Sequence, residues 1–341
     1  MSKVIFIPQN KLEKLPEAMK SFDLERFGGK TVLVKLHMGE RGNKTHVNPD
    51  IVKSVCDEIA KIKAKPFLFD TLPAYAGGRD TKEKYMQTAR MNGFGKIGYP
   101  IVISNEGTIV KMNGYGNNCG FDVANEIINA KHIVAISHVK GHIITAIGGA
   151  IKNFGMGGLT SRGKQFIHDG GKPKLHKMKC KLCGKCEVAC VSEEYYPTKG
   201  IKVSKDVKDV ELIPENCLGC GRCIKACPYE ALVFNIDDFN NLLSIGAKAC
   251  VQRKTLLYVN VALNITKHCD CASNSLPIIC KDVGILLSND PVAIDTASVD
   301  LVEERMGKTW KDVWGVDPMD HIKYAEKIGM GSTDYVLSKM S

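Results

Sequence analysis

No stretch of the 341 residues stays apolar for the roughly 18 positions a membrane-spanning helix requires. The nearest, Ile133 to Ile151, is broken by His138, Lys140 and His142. After Lys3 the amino terminus offers only Val4–Ile7, short of the roughly 7 to 15 apolar residues of a secretory signal core. A soluble, cytoplasmic chain without a membrane partner is therefore expected. There is no GxxxxGK[ST] phosphate loop. The sequence also lacks a basic run interleaved with aromatics, which counts against nucleic acid as a partner. Low-complexity tracts are missing, and 44% apolar with 25% charged residues excludes disordered and collagen-like chains. Neither sign of charge dominates: 47 Lys plus Arg against 37 Asp plus Glu give +10, which two four-thiolate cubanes would lower to roughly +6. Such an excess fits an acidic redox partner or an anionic substrate equally well.

What the sequence does have is cysteine, 14 in all. In a cytosolic chain of this size, thiols in such number are metal ligands before they are disulfides. Eight of them form two runs, Cys180-x2-Cys183-x2-Cys186-x3-Cys190 and Cys217-x2-Cys220-x2-Cys223-x3-Cys227-Pro228. This is the bacterial ferredoxin spacing, in which three thiolates on a tight loop cap three irons of a 4Fe-4S cubane and the fourth reaches the other cluster. Cys180, Cys183, Cys186 and Cys227 should hold one cluster, and Cys217, Cys220, Cys223 and Cys190 the other. A pair of structural zinc sites would need C-x2-C pairs but not the third evenly spaced cysteine. Val191 stands where the second run has Pro228.

Around these runs the chain alternates strand and helix. Val4–Ile7, Thr31–Leu36, Pro66–Phe69, Ile101–Ser104, Thr108–Met112, His132–Ile136, Thr255–Val261 and Val283–Leu287 read as strands. Helical patterns cover Lys11–Phe22, Pro49 to about Lys63, Thr81–Met91, Val123–Asn129, Phe239–Cys250 and Pro291 to about Met306. The fold class is α/β: a mainly parallel sheet with helices on both faces. A small two-cluster ferredoxin-like α+β module interrupts it, with no helix or strand period between Cys180 and Cys227. The expected division is 1–171 and 236–341 for the α/β domain and 172–235 for the inserted module.

Ligands of open parallel sheets bind beyond the carboxyl ends of the strands. Five strands should deliver ionisable residues to one such edge. They are Lys35 and His37 with Glu40, Asp70 before Arg79, His138, Lys140 and His142 with Lys152 and Asn153 behind them, His268-Cys269-Asp270-Cys271, and Ser288-Asn289-Asp290 with Asp295. Each also has an ordinary reading. Asp290 before Pro291 is most simply a helix cap. Asp295 shares a helix face with Val292, Val299 and Val302, and Lys152 sits near a helix end that favours a cation. Cys269 and Cys271, with His268 and Cys280, are candidate ligands of a third metal, against ordinary buried thiols; Cys56 and Cys250 read as core. Two glycine patterns are decoys. Gly93-Phe-Gly95-Lys-Ile-Gly98 follows a helix and precedes a strand, the reverse of a dinucleotide site, and Gly114-Tyr-Gly116-Asn-Asn-Cys-Gly120 is one residue too long.

The chain resembles iron-sulfur centre proteins whose α/β domain is catalogued as a domain of unknown function. The resemblance rests on Lys140-Gly-His142, Lys152-Asn153, Cys269-Asp-Cys271 and Ser288-Asn-Asp290-Pro-Val-Ala-Ile-Asp295, with the cysteine runs between them. It implies a fold distantly similar to nickel-dependent lactate racemases and a metal or anion site at the sheet edge. On this reading the protein passes low-potential electrons between two 4Fe-4S clusters and that site. Lys140, His142, Lys152 and Asp295 are the candidate catalytic groups. His37, His138 and Asn153 would contact a cofactor, and Cys269 and Cys271 a further metal ion. A redox partner protein and an anionic small molecule are the expected partners. Two other readings use the same residues: a non-catalytic electron carrier or assembly partner that docks another protein, and a metal-dependent, racemase-like enzyme with structural clusters.

Overall fold

Eight strands form the central sheet of the computed structural model, which describes residues 1–113, 118–273 and 277–341. In chain order they are β1 (Ser2–Pro8), β2 (Thr31–Lys35), β3 (Lys65–Thr71), β4 (Ile101–Ser104), β5 (His132–His138), β6 (Thr255–Ala262), β7 (Gly284–Ser288) and β8 (Tyr335–Lys339). In space they run β8-β1-β7-β6-β5-β2-β3-β4. From β6 to β4 every pairing is parallel, and β8 is parallel to β1. β7 alone runs antiparallel to both neighbours. The sheet is thus mainly parallel, as the alternating strand and helix patterns imply.

Side-chain alternation divides the core in two. Ile133 and Ala135 of β5, Leu33 of β2 and Val4 and Phe6 of β1 face one side. Val134, Ile136, Val32, Val34, Ile5 and Ile7 face the other. The first face is covered by helices Ala150–Gly155, Phe239–Val251 and Pro291–Met306, the second by Leu15–Lys20, Pro49–Lys61 and Lys82–Met91. Local signals fix these helices. Asn48 accepts from the Asp50 amide ahead of Pro49, and Asp290 accepts from the Val292 and Ala293 amides across Pro291. Gly307 closes the helix Pro291–Met306 in a left-handed conformation (φ 67°).

Three expectations change. Thr108–Met112 is not in the sheet: Gly107–Lys111 pairs in a separate hairpin with Gly120–Ala124, and only Asn125–Asn129 of the expected helix is helical. Lys11–Phe22 is a tight turn, Gln9–Lys14, followed by the short helix Leu15–Lys20, because Pro16 cannot sit inside a continuous helix. The Cys180–Cys227 stretch does contain a hairpin, Ile201–Ser204 with Asp209–Leu212. Its strands of four residues are too short to register as a period. The first glycine decoy follows the helix Lys82–Met91 and precedes β4, as its context required. Residues 114–117 of the second lie outside the described residues.

The segment between Lys172 and Asn235 leaves and re-enters the α/β body at one point. The Asn235 amide donates to the Lys172 carbonyl at 2.9 Å and the Ile236 amide to the Gly170 carbonyl at 2.9 Å. Pro173–Leu175 pairs antiparallel with Leu232–Phe234. Ile201, Val210 and Leu232 form a small separate core with Cys186 and Cys223. Excision of Lys172–Val233 with a short flexible linker should therefore leave a folded α/β protein with a cooperative thermal transition. A molten remainder by near-ultraviolet circular dichroism would mean the two parts share one core.

Candidate functional site

The order β6-β5-β2-β3-β4 reverses direction between β5 and β2, and the crevice at such a switch point is where open α/β sheets bind ligands. Asn153 spans that crevice. Its Nδ2 donates to the Ile136 carbonyl and to Ser137 Oγ, both at 3.0 Å, while its Oδ1 accepts from Lys35 Nζ at 2.8 Å. Lys35 Nζ also bonds Asp70 Oδ1 at 2.9 Å, and the Tyr85 hydroxyl donates to the other oxygen of Asp70. Burial pushes the Lys35 ammonium down despite Asp70. Behind it, Lys164 donates to Thr71 Oγ1 at 2.5 Å and to the Leu72 carbonyl. Burial lowers its pKa to about 7. Arg79 Nε meets Glu40 Oε2 at 3.1 Å, and its other end meets the Tyr75 hydroxyl at 2.6 Å.

Asp270 is the hub of the site. It has no solvent exposure, and its Oδ2 takes His138 Nδ1 at 2.8 Å and Lys140 Nζ at 3.0 Å. Its backbone carbonyl accepts from the Glu40 amide at 2.9 Å. Burial alone would raise this carboxyl, but His138 and Lys140 together outweigh it and hold it well below the usual carboxylate range. His138 Nε2 is fixed in turn by the Leu263 carbonyl at 2.8 Å.

The residues flanking Asp270 carry the sulfurs. Cys269 Sγ and Cys271 Sγ stand 3.2 Å apart, with Lys152 Nζ 4.0 Å from the first. Tyr75 is hydrogen bonded to Cys271. The hydrogen bond from Cys271, then Lys152 and Lys140, brings the Cys269 thiol well below its ordinary value despite burial. His37 Nε2 lies 3.6 Å from Cys271 Sγ. His37 Nδ1 accepts from the Gly39 amide at 3.0 Å, so the ring proton of the neutral imidazole belongs on Nε2, pointing at the sulfur. Among the described residues, no three His, Cys, Asp or Glu side chains converge where a single metal ion would sit.

Of the residues anticipated from sequence, His37, His138, Lys140, Lys152, Asn153, Cys269 and Cys271 come together here. His142 is held in its own turn, its Nδ1 accepting from the Thr145 amide at 3.3 Å. Burial and neighbouring Lys152 hold its imidazole well below the ordinary value. Asp295 is placed elsewhere. Its carboxylate accepts from the Ala150 amide at 2.7 Å, the Ile151 amide at 2.9 Å and Asn260 Nδ2 at 2.8 Å, inside the core. It therefore anchors the first turn of the helix carrying Lys152 and Asn153. Burial raises its pKa to about 6. Ser288–Asp290 must be corrected: because β7 is antiparallel, its carboxyl end lies at the opposite edge, where Asp290 caps the last long helix and holds Ser2 and Ser332. Cys280 packs in the core with its Sγ toward the Lys281 and Val302 carbonyls, and His268 faces Tyr195 and Trp314. Asp270 was expected at this edge but given no role of its own, and Tyr75, Tyr85 and Lys164 were not anticipated as site residues.

In the inserted segment the cysteines sort across the two runs. Cys180, Cys183, Cys186 and Cys227 line one cavity with Leu182 and Gly184. Cys190 lies among Cys217, Cys220 and Cys223. Backbone amides point at sulfur, Leu182 to Cys180 and Ala231 to Cys227, each at 3.4 Å. Gly184 (φ 78°) and Gly221 (φ 69°) turn the chain into the short helices Lys185–Val188 and Arg222–Lys225. Arg222 fastens the second loop to the α/β body through the Ile143 carbonyl at 2.9 Å and the Trp314 carbonyl at 2.7 Å.

The model of the domain of unknown function DUF362 matches residues 32–300, which takes in the sheet strands from β2 to β7, the sulfur pair and both cysteine runs. The chain belongs to the DUF362 family. Over 62 residues, 18% of this chain and 8% of the relative, it is 35% identical to subunit alpha 1 of the acetyl-CoA decarbonylase/synthase complex of Methanosarcina barkeri. Over 56 residues, 16% of this chain and 70% of the relative, it is 34% identical to the ketoisovalerate oxidoreductase subunit VorC of Methanothermobacter marburgensis. The lactate racemase apoprotein from Thermoanaerobacterium thermosaccharolyticum aligns over 76% of this DUF362 chain and 50% of its own, at 10% identity and a TM-score of 0.38. A protein from Thermotoga maritima aligns over 74% and 50%, at 8% identity and a TM-score of 0.36. No helix among the described residues is long and apolar enough to cross a membrane.

Proposed function

We propose that this DUF362 protein is a two-cluster iron-sulfur protein that exchanges low-potential electrons with a partner protein and delivers them to the switch-point site. The observation that carries the reading is the sorting of eight cysteines into two sets of four, each taking three from one run and the fourth from the other. Two-cluster ferredoxins take their cubane ligands in this crossed way, and the third evenly spaced cysteine of each run is one that paired C-x2-C zinc sites do not require. The amides directed at Cys180 and Cys227 fit it as well, since N–H groups at ligand sulfurs tune cluster potential. When bound, such clusters pass single electrons. The relatives named as subunits of redox complexes support a protein partner on the other side of the exchange.

The chain's own residues would bind and orient an anionic ligand at the site. Lys152 reaches it with no carboxylate paired to it among the described residues, while Lys140 is committed to Asp270 and Lys35 to Asp70. Stepwise dithionite reduction of anaerobic protein, followed by low-temperature EPR, should reveal two interacting paramagnetic centres. One centre, or none, would contradict the reading. The anion preference has its own probe. Iodoacetate, which is anionic, should alkylate the Cys269–Cys271 pair faster than neutral iodoacetamide once intrinsic reactivities are normalised. Lys152→Met keeps most of the stem and removes the charge, so the preference should fall several-fold with little loss of stability. An unchanged ratio would leave the docking-only reading as the better one.

A further inference from the structure

We propose that Cys269 and Cys271 are a reversible dithiol/disulfide couple that stores two electrons at the site. A disulfide bond is about 2.05 Å long. From 3.2 Å the sulfurs close to that length by moving little more than 1 Å between them. The loop that holds them is pinned on three sides. Asp270 between them is bound to His138 and Lys140, its carbonyl takes the Glu40 amide, and the Ala272 amide closes on the Cys269 carbonyl at 3.1 Å. The sulfurs are thus kept facing each other. A metal ion on His37 Nε2 would instead require the ring proton to move to Nδ1, against the Gly39 amide that already donates there. Lys140, Lys152 and Arg79 supply the positive surroundings in which redox thiols are found.

The inserted segment touches this loop directly. Cys190 Sγ lies 3.2 Å from Ser192 Oγ, and the turn that begins there ends at Tyr195. The Tyr195 hydroxyl reaches His268 Nδ1 at 3.3 Å, one residue before Cys269. The other side of His268 packs on Trp314, ring centroids 5.1 Å apart, and the Trp314 carbonyl is the one Arg222 holds. The Cys190 set and the sulfur pair are therefore joined by two short contact paths through His268. In the reducing direction the Sγ–Sγ bond breaks and takes up two electrons and one proton, leaving a thiol on Cys271 and a thiolate on Cys269. The electrons come singly from a low-potential reductant through the inserted segment, and only this source rests on the cluster reading above.

Mass spectrometry tests the couple on the loaded wild-type protein. After anaerobic treatment with diamide, the peptide carrying Cys269 and Cys271 should be two hydrogen masses lighter and refuse alkylation. Dithionite should restore two alkylatable thiols, and a reductive titration should consume two more electron equivalents per chain than the Cys269→Ser/Cys271→Ser double variant. Thiols that stay alkylatable after diamide, or a stoichiometric non-cluster metal protecting them, would overturn the proposal. Failure of the cluster reading is seen separately as missing iron, because the light peptide and its reduction by dithiothreitol are still scored.

Discussion

Replacing Asp270 with Asn should destabilise the protein by about 3–5 kcal/mol, the cost of leaving a buried cation without its counter-charge. Lys140 and His138 share one oxygen of this carboxylate, and Asp270 is the main counter-charge of Lys140, ahead of Cys269 and Cys271. At about 2 cal/mol/K of unfolding entropy per residue, the change is about 4–7 °C in Tm for a chain of this length. The same coupling gives a pH dependence. Asp270 is held below its unfolded value of about 3.9, so its contribution is complete above that value and disappears as the pH falls toward the folded pKa. Wild-type stability should therefore drop steeply below about pH 4, and the Asn variant should drop less. Equal Tm values for the two proteins at pH 7 would show that Asp270 is not the hub described here.

Replacing Cys190 with Ser should damage the cluster of the second run while sparing that of the first. Cys190 belongs to the first run in sequence, but it lies among Cys217, Cys220 and Cys223. Anaerobic EPR should lose the second centre and the interaction between the two, and iron should fall toward about half. Cys227→Ser should give the reciprocal result, because Cys227 shares its cavity with Cys180, Cys183 and Cys186. Loss confined in each variant to the run that contains the mutation would refute the crossed assignment.

Much of this molecule was legible before any coordinates. The strands read as Val, Ile and Leu runs because both sheet faces are covered, and the start of the helix Pro291–Met306 was marked by its Asp-Pro entry. The convergence of Lys35, Asp70, His138 and Lys140 followed from a parallel sheet having its ligand edge at the strand carboxyl ends. What failed was the direction of β7. A parallel return needs a crossover of a dozen or more residues, usually a helix, and the sequence from 263 to 283 carries no helical pattern. Asp270 was placed at the edge by its sequence position, but its part as hub was not legible, because a buried acid declares its partners only through contacts 132 and 130 residues away. Asp295 misled for the same reason: its partners are amides on a helix 145 and 144 residues earlier. The pairing of Tyr195 and Trp314 with His268 depends on how the inserted segment docks, which no local pattern encodes.

The central claim is that the eight cysteines hold two four-iron clusters, and metal and acid-labile sulfide analysis of anaerobically purified protein tests it most directly. About eight irons and eight sulfides per chain are expected. Stoichiometric zinc without labile sulfide would contradict the account.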